Sequence, residues 1–120
     1  MSRLKQKLWR DKSYGKWIHT NVACCITGST VNVVNHHIKN EGYGSVKAPD
    51  YMQMAMTHEL HLEIHGSIGC VGFEKKYGRT QRSMVAETLV KAHSMGRINM
   101  EELPLEGWIW EEVEELVNVV

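Results

Sequence analysis

Histidines dominate the stretch between Asn35 and Gly66. Five of the seven histidines of the chain lie there. Neutral imidazole binds divalent transition metals, and its unperturbed pKa of about 6.5 also lets it accept a proton near neutral pH. The density of this residue type therefore indicates a metal site or a catalytic site, built from His36, His37, His58, His61 and His65.

Two of these histidines share a short predicted helix. His61 and His65 are four residues apart, so both imidazoles lie on one face of that helix. Thr57 suits the N-cap position, and Gly66 is a stop signal. The pair can therefore bind one metal ion, by the same geometry that lets two helical histidines share zinc in metalloproteases.

The adjacent pair His36 and His37 follows a β-branched segment, residues 31–34, which predicts a strand. Neighbouring residues on a strand point to opposite faces of the sheet. The turn formers in residues 39–44 predict a turn just past the pair. Only one member of the pair can therefore face a site directly, unless the strand ends there and the backbone turns.

A strand ending in His-His, an irregular loop and a helix with H-x3-H together resemble the HNH, or ββα-metal, nucleases. The segments H-H-I, G-Y-G-S-V-K-A-P-D and T-H-E-L-H-L-E-I-H-G are similar to small phage and prophage nucleases of the Ref-like recombination type. The resemblance covers residues 25–78. It implies an α+β fold with a ββα-metal core, made of a hairpin and a helix, and additional helices on the C-terminal side.

The resemblance also implies a role for each histidine at a matching position. In that family the second histidine of the pair is the general base, which here is His37. The first, with the helical pair, holds the metal, so His36, His61 and His65 become the ligands of one divalent ion. Three imidazoles favour Zn, Ni or Mn, whereas members of the family often use Mg.

The chain departs from the family pattern in two ways. Relatives often carry a zinc-binding C-x2-C before the strand and another cysteine ahead of the helix. Here Cys25 is what remains of the first, and Thr57 stands at the later position, so we expect the structural zinc to be lost. The middle Asn of the HNH name, which orients the base, has no exact counterpart. Asp50 is the expected substitute, with Asn35 as a weaker alternative.

Length and cysteine usage set the broad class. A chain of 120 residues is expected to form one domain, residues 1–120, without internal repeats. Its three cysteines are an odd number, which fits a reducing cytoplasm better than a disulfide framework. No apolar run approaches the roughly 18 residues needed to span a bilayer. We therefore expect a cytoplasmic protein without a membrane partner, in a phage-infected or lysogenic bacterial host if the resemblance holds.

The formal net charge of zero is a cancellation between the two ends of the chain. Residues 1–17 carry six basic side chains and one acidic one, whereas residues 101–120 carry seven glutamates and nothing basic. Residues 1–16 are interpreted as a basic arm for DNA phosphates, with a solvated charged face as the alternative. Residues 101–120 predict an acidic amphipathic helix that packs against the domain or mediates a homo-oligomer.

The remaining segments predict the elements around the histidines. Residues 17–25 favour an extended segment, and residues 17–36 a hairpin. Residues 68–78 favour a short helix, and Thr80 is expected to cap a longer one that ends near Gly96. Four basic residues are expected to bind DNA phosphates, with a solvated surface charge as the alternative for any single one: Lys39, Lys47, Arg79 and Arg82.

Three hypotheses follow for the function. The first is a metal-dependent DNA endonuclease that acts in phage DNA recombination or processing. The second is a non-catalytic zinc module for DNA or protein interaction, in which His58 closes a tetrahedral site as the fourth ligand. In the third, the histidines are ordinary core or surface residues.

Overall fold

Two antiparallel strands and five α-helices form the fold in the computed structural model, which describes residues 9–43 and 46–118. The expected α+β class is confirmed. The elements in chain order are α1 (Lys12–Asn21), β1 (Val33–His37), β2 (Gln53–Thr57), α2 (His58–Ile64), α3 (Gly69–Tyr77), α4 (Gln81–Ser94), a short 3-10 helix (Met100–Glu102) and α5 (Gly107–Asn118).

The two strands and α2 form a continuous ββα unit. The strands pair from Val33 opposite Thr57 to His37 opposite Gln53. Helix α2 begins directly after β2, where the Thr57 hydroxyl accepts a hydrogen bond from the backbone N–H of Leu60 at 3.3 Å. The predicted N-cap is thus confirmed. The direct passage from β2 into α2 brings His61 and His65 close to β1.

The predicted hairpin over residues 17–36 is wrong, because residues 12–21 form a helix. Asp11 caps α1 by accepting hydrogen bonds from the backbone N–H groups of Ser13 at 3.1 Å and Tyr14 at 3.3 Å. Tyr14 and Ile18, four residues apart, are both fully buried. This cap and this spacing on one helix face outweigh the β-branched and aromatic residues that favoured an extended chain.

Half of the predicted basic arm, residues 1–16, falls outside the described part of the chain. Residues 1–8, with Arg3, Lys5 and Lys7, are not described. Residues 9–11 lead into α1 without helical structure. Lys12 and Lys16 are exposed on α1.

Strand β2 is the centre of the core. Its residues Met54, Ala55 and Met56 are completely buried. On the edge away from β1, the Thr88 hydroxyl of α4 accepts a hydrogen bond from the N–H of Ala55 at 3.3 Å. On the same edge, the N–H of Cys25 donates to the carbonyl of Ala55 at 3.0 Å. This edge is therefore covered rather than open to another strand.

The C-terminal helices follow the predicted signals. Gly78 ends α3 in the left-handed region at φ 66°, and Thr80 caps α4 by accepting from the N–H of Ser83 at 3.1 Å. Helix α5 packs on α4 and buries Ile109 completely, so the acidic segment does pack against the domain. Within the described ranges, no helix is both long enough and apolar enough to cross a membrane.

Candidate metal centre

Three histidines meet where the end of β1 faces α2. Potential ligand nitrogens of His36, His61 and His65 all lie within 4.8 Å of one another. The Nε2 atoms of His61 and His65 are 3.1 Å apart. Two nitrogens bound to one tetrahedral zinc at about 2.1 Å are about 3.4 Å apart, so the separation suits a shared ion. The three residues expected to bind metal are thus brought together.

The protonation states of this group suit metal binding. His36 is 2% exposed, and burial, helped by the neighbouring His61 and His65, lowers its pKa to about 3. Burial also lowers the pKa of His61. Both imidazoles are therefore neutral near pH 7, which is the form that binds a metal. A set of nitrogen donors fits a divalent transition metal.

His37 lies outside the three-histidine group and contacts Asp50 instead. Its Nε2 atom is 2.8 Å from Oδ1 of Asp50. A neutral imidazole that donates its Nε2–H to this carboxylate keeps the lone pair of Nδ1 as a proton acceptor. Burial lowers the pKa of His37, and the hydrogen bond to Asp50 opposes that shift. The arrangement gives a neutral imidazole near pH 7 that is held in one orientation and can accept a proton.

Asp50 is fixed in turn by the segment before α1. The backbone N–H of Asp11 donates to Oδ2 of Asp50 at 2.8 Å, and the N–H of Asp50 donates to the Trp9 carbonyl at 2.8 Å. Arg10 places Nη1 3.5 Å from Oδ1 of the same carboxylate. Asp50 is 6% exposed. Its position is therefore set from several sides, as a residue that orients a base requires.

Asn35, the weaker alternative for this role, has other partners. Its side chain hydrogen-bonds to His19 and to Gln53. The structure thus places Asp50, and not Asn35, against His37.

Gln81 belongs to the site although the sequence did not single it out. Its Oε1 atom lies 3.4 Å from Nε2 of His36 and accepts the N–H of Lys39 at 3.1 Å. Its Nε2 donates to the carbonyl of Lys39 at 3.2 Å. Gln81 is 5% exposed, at the first position of α4. A glutamine after an N-cap is common in any helix, so only the fold reveals this contact.

The two lysines expected to bind DNA lie beside His37. Lys39 and Lys47 are exposed and, with His37, line a cavity of about 240 Å³ formed by residues 37–43 and 46–48. Glu41 lines the same cavity. Positive charge and the oriented histidine therefore share one opening.

The two arginines expected to bind DNA contact protein groups. Arg79 donates from Nη1 to the carbonyl of Cys25 at 2.9 Å and from Nη2 to Glu87 at 2.9 Å. Arg82 pairs with Glu41 through two hydrogen bonds of 2.9 and 2.8 Å. Both guanidinium groups thus have acidic partners within the chain.

His58 and the cysteines lie outside the metal group. His58 is exposed at the first position of α2. Burial raises the pKa of the Cys25 thiol to about 11, so it stays protonated rather than forming the thiolate that binds metals. Elsewhere in residues 9–43 and 46–118 there is no second group of three potential metal ligands.

Comparison with known proteins gives a family but no activity. Residues 1–96 match the model of a family described as "Protein of unknown function (DUF968)". No curated protein and no solved structure matches the chain. An activity must therefore be inferred from the site itself.

Proposed function

We propose that this chain, which belongs to the DUF968 family of proteins of unknown function, is a metal-dependent HNH-type endonuclease that hydrolyses DNA phosphodiester bonds. One observation carries the proposal. Three histidines lie close enough to share a metal ion, and one of them, His36, is followed in the chain by His37, which contacts the buried carboxylate of Asp50. We place the activity in phage DNA recombination or processing, on the resemblance described above.

His37 supplies the base that the reaction needs. Phosphodiester hydrolysis requires a water molecule that loses a proton as it attacks phosphorus. His37 accepts this proton at Nδ1, while Asp50 holds the Nε2–H and stabilises the imidazolium that forms. The 2.8 Å contact between the two side chains supports these roles.

His36, His61 and His65 hold the metal in this proposal. A divalent ion bound there supplies positive charge for a phosphoryl oxygen and the departing O3′. Catalytic metal sites characteristically use three protein ligands and keep a further position open, whereas structural zinc sites use four. The exposed position of His58, apart from the group, supports an open site over the closed zinc module.

Lys39 and Lys47 bind the DNA backbone. Their place with His37 around one cavity puts positive charge beside the reacting phosphate. Phosphate contacts of this kind release counterions, so DNA affinity falls as the salt concentration rises.

The decisive experiment incubates plasmid and single-stranded DNA with the protein and Mg, Mn, Ni or Zn. We expect nicking that EDTA abolishes. His37→Ala and His61→Ala serve as matched variants, because the first removes the base and the second a metal ligand. A protein that binds metal tightly but cuts no DNA with any of the four ions would instead be the zinc module.

A further inference from the structure

The loop that follows His37 is held at alternate residues. We call residues 38–43 the His37 loop. At Lys39, both the N–H and the carbonyl of the backbone bond to the Gln81 side chain, at 3.1 and 3.2 Å. At Tyr43, the hydroxyl donates to Oε1 of Glu106 at 3.3 Å. Between them, Glu41 is bound by Arg82.

The contact between Glu41 and Arg82 is a two-point fork. Arg82 donates from Nε to Oε2 of Glu41 at 2.9 Å and from Nη2 to Oε1 at 2.8 Å. The Glu41 side chain is 12% exposed, so the pair is partly shielded from solvent. Two parallel hydrogen bonds fix the orientation of both groups as well as their distance.

Trp108, in the C-terminal segment, stacks against the guanidinium group of Arg82. The Cζ atom of Arg82 lies 4.6 Å from the centre of the Trp108 ring, which is a cation–π contact. The indole N–H of Trp108 donates to Oε2 of Glu106 at 2.9 Å. Glu106 therefore joins the ring behind Arg82 to Tyr43 of the His37 loop.

We propose that Arg82 is a positioning residue, which fixes the His37 loop through Glu41 and so sets Lys39 beside His37. Arg82 does not itself bind DNA in this scheme. The inference rests on the proposed nuclease function. The proposal also explains why an acidic residue lies in a cavity proposed to bind phosphate. Pairing with Arg82 offsets the charge of Glu41, which would otherwise repel the substrate.

If Arg82 instead contacted a DNA phosphate directly, the Glu41→Gln variant would behave differently. In that case Arg82 must leave Glu41 to reach DNA, so Glu41→Gln would strengthen DNA binding. If Arg82 only positions the loop, Glu41→Gln loosens the loop and lowers the rate. Loss of the Glu41 charge favours DNA binding in both cases. The two roles are therefore separated by kcat, which falls in Glu41→Gln only if Arg82 positions the loop.

The kinetic test compares Arg82→Gln, Glu41→Gln and the double variant in the full chain. We expect kcat to fall about tenfold or more in each single variant, because small displacements near a reacting group are costly. The salt slope of DNA binding should change little, because Arg82 itself makes no phosphate contact in this scheme. The double variant should be no slower than the slower single one, because both changes break the same contact. Arg82→Lys, which keeps the charge but not the fork, should recover little of kcat.

Two kinetic outcomes would overturn the proposal. One is a salt slope of DNA binding in Arg82→Gln that is shallower by about one while kcat is unchanged, as loss of a phosphate contact without loss of loop position predicts. The other is a double variant in which the two losses multiply. Lys75→Gln, on an exposed part of α3, controls for the loss of one positive charge.

Amide hydrogen exchange measures the mobility of the His37 loop and does not depend on an activity assay. We expect faster exchange of the amides of residues 39–43 in Arg82→Gln and Glu41→Gln, and unchanged exchange in α2. Unchanged exchange at residues 39–43 in both variants would overturn the positioning role even if the protein cuts DNA. If the wild type cuts no DNA while the variants exchange faster, the nuclease proposal fails and the contact between Arg82 and the loop stands.

Discussion

His36 and His37 are neighbours in the chain with different surroundings. His36 is buried within reach of the α2 histidines, whereas His37 is half-buried against Asp50. Adjacent residues within a strand point to opposite faces, but β1 ends at His37, where this alternation need no longer hold. One dipeptide can therefore supply both a metal ligand and a base. Substitutions at the two positions should therefore separate metal binding from catalysis.

Replacement of His37 by alanine should abolish cleavage and leave metal affinity nearly unchanged. General base catalysis contributes about 10²- to 10⁴-fold, so kcat should fall by that order. Calorimetric titration with Zn or Ni, beside a plasmid nicking assay, measures both quantities. If His37→Ala loses the metal together with the activity, His37 is a ligand and the division of the pair is wrong.

Replacement of Asp50 by asparagine should slow cleavage by at least about tenfold with little change in metal affinity. The amide keeps the size of the side chain but not the negative charge that stabilises the imidazolium of His37. Asn35→Ser is the matched control at the alternative position, and it should cost less. A larger kcat loss at Asn35 than at Asp50 would reverse the two roles.

The sequence could predict the histidines of the site but not the groups that support them. The pair at the end of a strand and the H-x3-H spacing each carry local information, because period and turn signals fix which side chains share a face. Gln81 contacts His36 across 45 positions of the chain, and Arg10 contacts Asp50 across 40. No local pattern encodes such contacts, so they emerge only from the packed fold.

At the scale of elements, helix α2 and His65, which caps its C-terminus, place their histidines unequally. His61 and His65 turn towards His36, whereas His58 lies outside the group at the start of the helix. His65→Ala should weaken metal affinity by more than about tenfold, because even supporting residues of metal sites cost that much. His58→Ala should have a mild effect. Calorimetry on both variants tests this, and equal losses would favour the closed zinc site.

Helix α4 is joined to β2 by one buried hydroxyl. Thr88 accepts from the N–H of Ala55 at 3.3 Å and donates to the Met84 carbonyl at 2.9 Å, with no exposed surface. Thr88→Val should lower the free energy of unfolding by about 1–3 kcal/mol, because the Ala55 N–H loses its partner in the core. Urea denaturation measures the change.

Thr88→Ser is the control for this bond, since it keeps the hydroxyl and removes only a methyl group. It should be closer to the wild type than Thr88→Val. A valine variant as stable as the wild type would mean that the hydroxyl makes no net contribution.

Helix α1 shows why the prediction failed for one element. Gly15 is a poor helix former, and Ile18 and Thr20 favour extended chain, so local propensity opposes a helix. A Cβ added at Gly15 would lie 2.9 Å from the Asn35 side chain, so glycine permits α1 to approach β1 closely. Tertiary packing therefore decides this helix, whereas caps at Thr57 and Thr80 made α2 and α4 predictable.

At the scale of the whole molecule, negative charge is concentrated on α5. Three of its glutamates, Glu111, Glu114 and Glu115, are exposed, and the helix is anchored by the buried Ile109. Changing these three glutamates to glutamine should strengthen DNA binding at low salt, where unscreened repulsion is largest, and leave the melting temperature nearly unchanged. A salt-titrated binding assay tests the charge effect.

Deletion of residues 107–120 should have a further effect, because it also uncovers the apolar surface beneath Ile109. The melting temperature should fall. Light scattering would show whether the segment also supports a homo-oligomer, which stays a prediction. An unchanged melting temperature, mass and DNA affinity would mean that α5 contributes neither packing nor charge.

The three histidines of the candidate metal centre come earlier in the chain than the residues that hold the His37 loop. This order matters for a nascent protein. All three histidines of the candidate metal centre lie in residues 36–65, which span the two strands, the helix that follows them and the C-cap residue of that helix. Gln81 and Arg82, which hold the His37 loop, are synthesised later, and Trp108 later still. Contacts of short sequence separation form first. Under the proposed function, a chain emerging from the ribosome should therefore capture its metal before the loop is fixed, and become able to cut DNA only after Trp108 has been added.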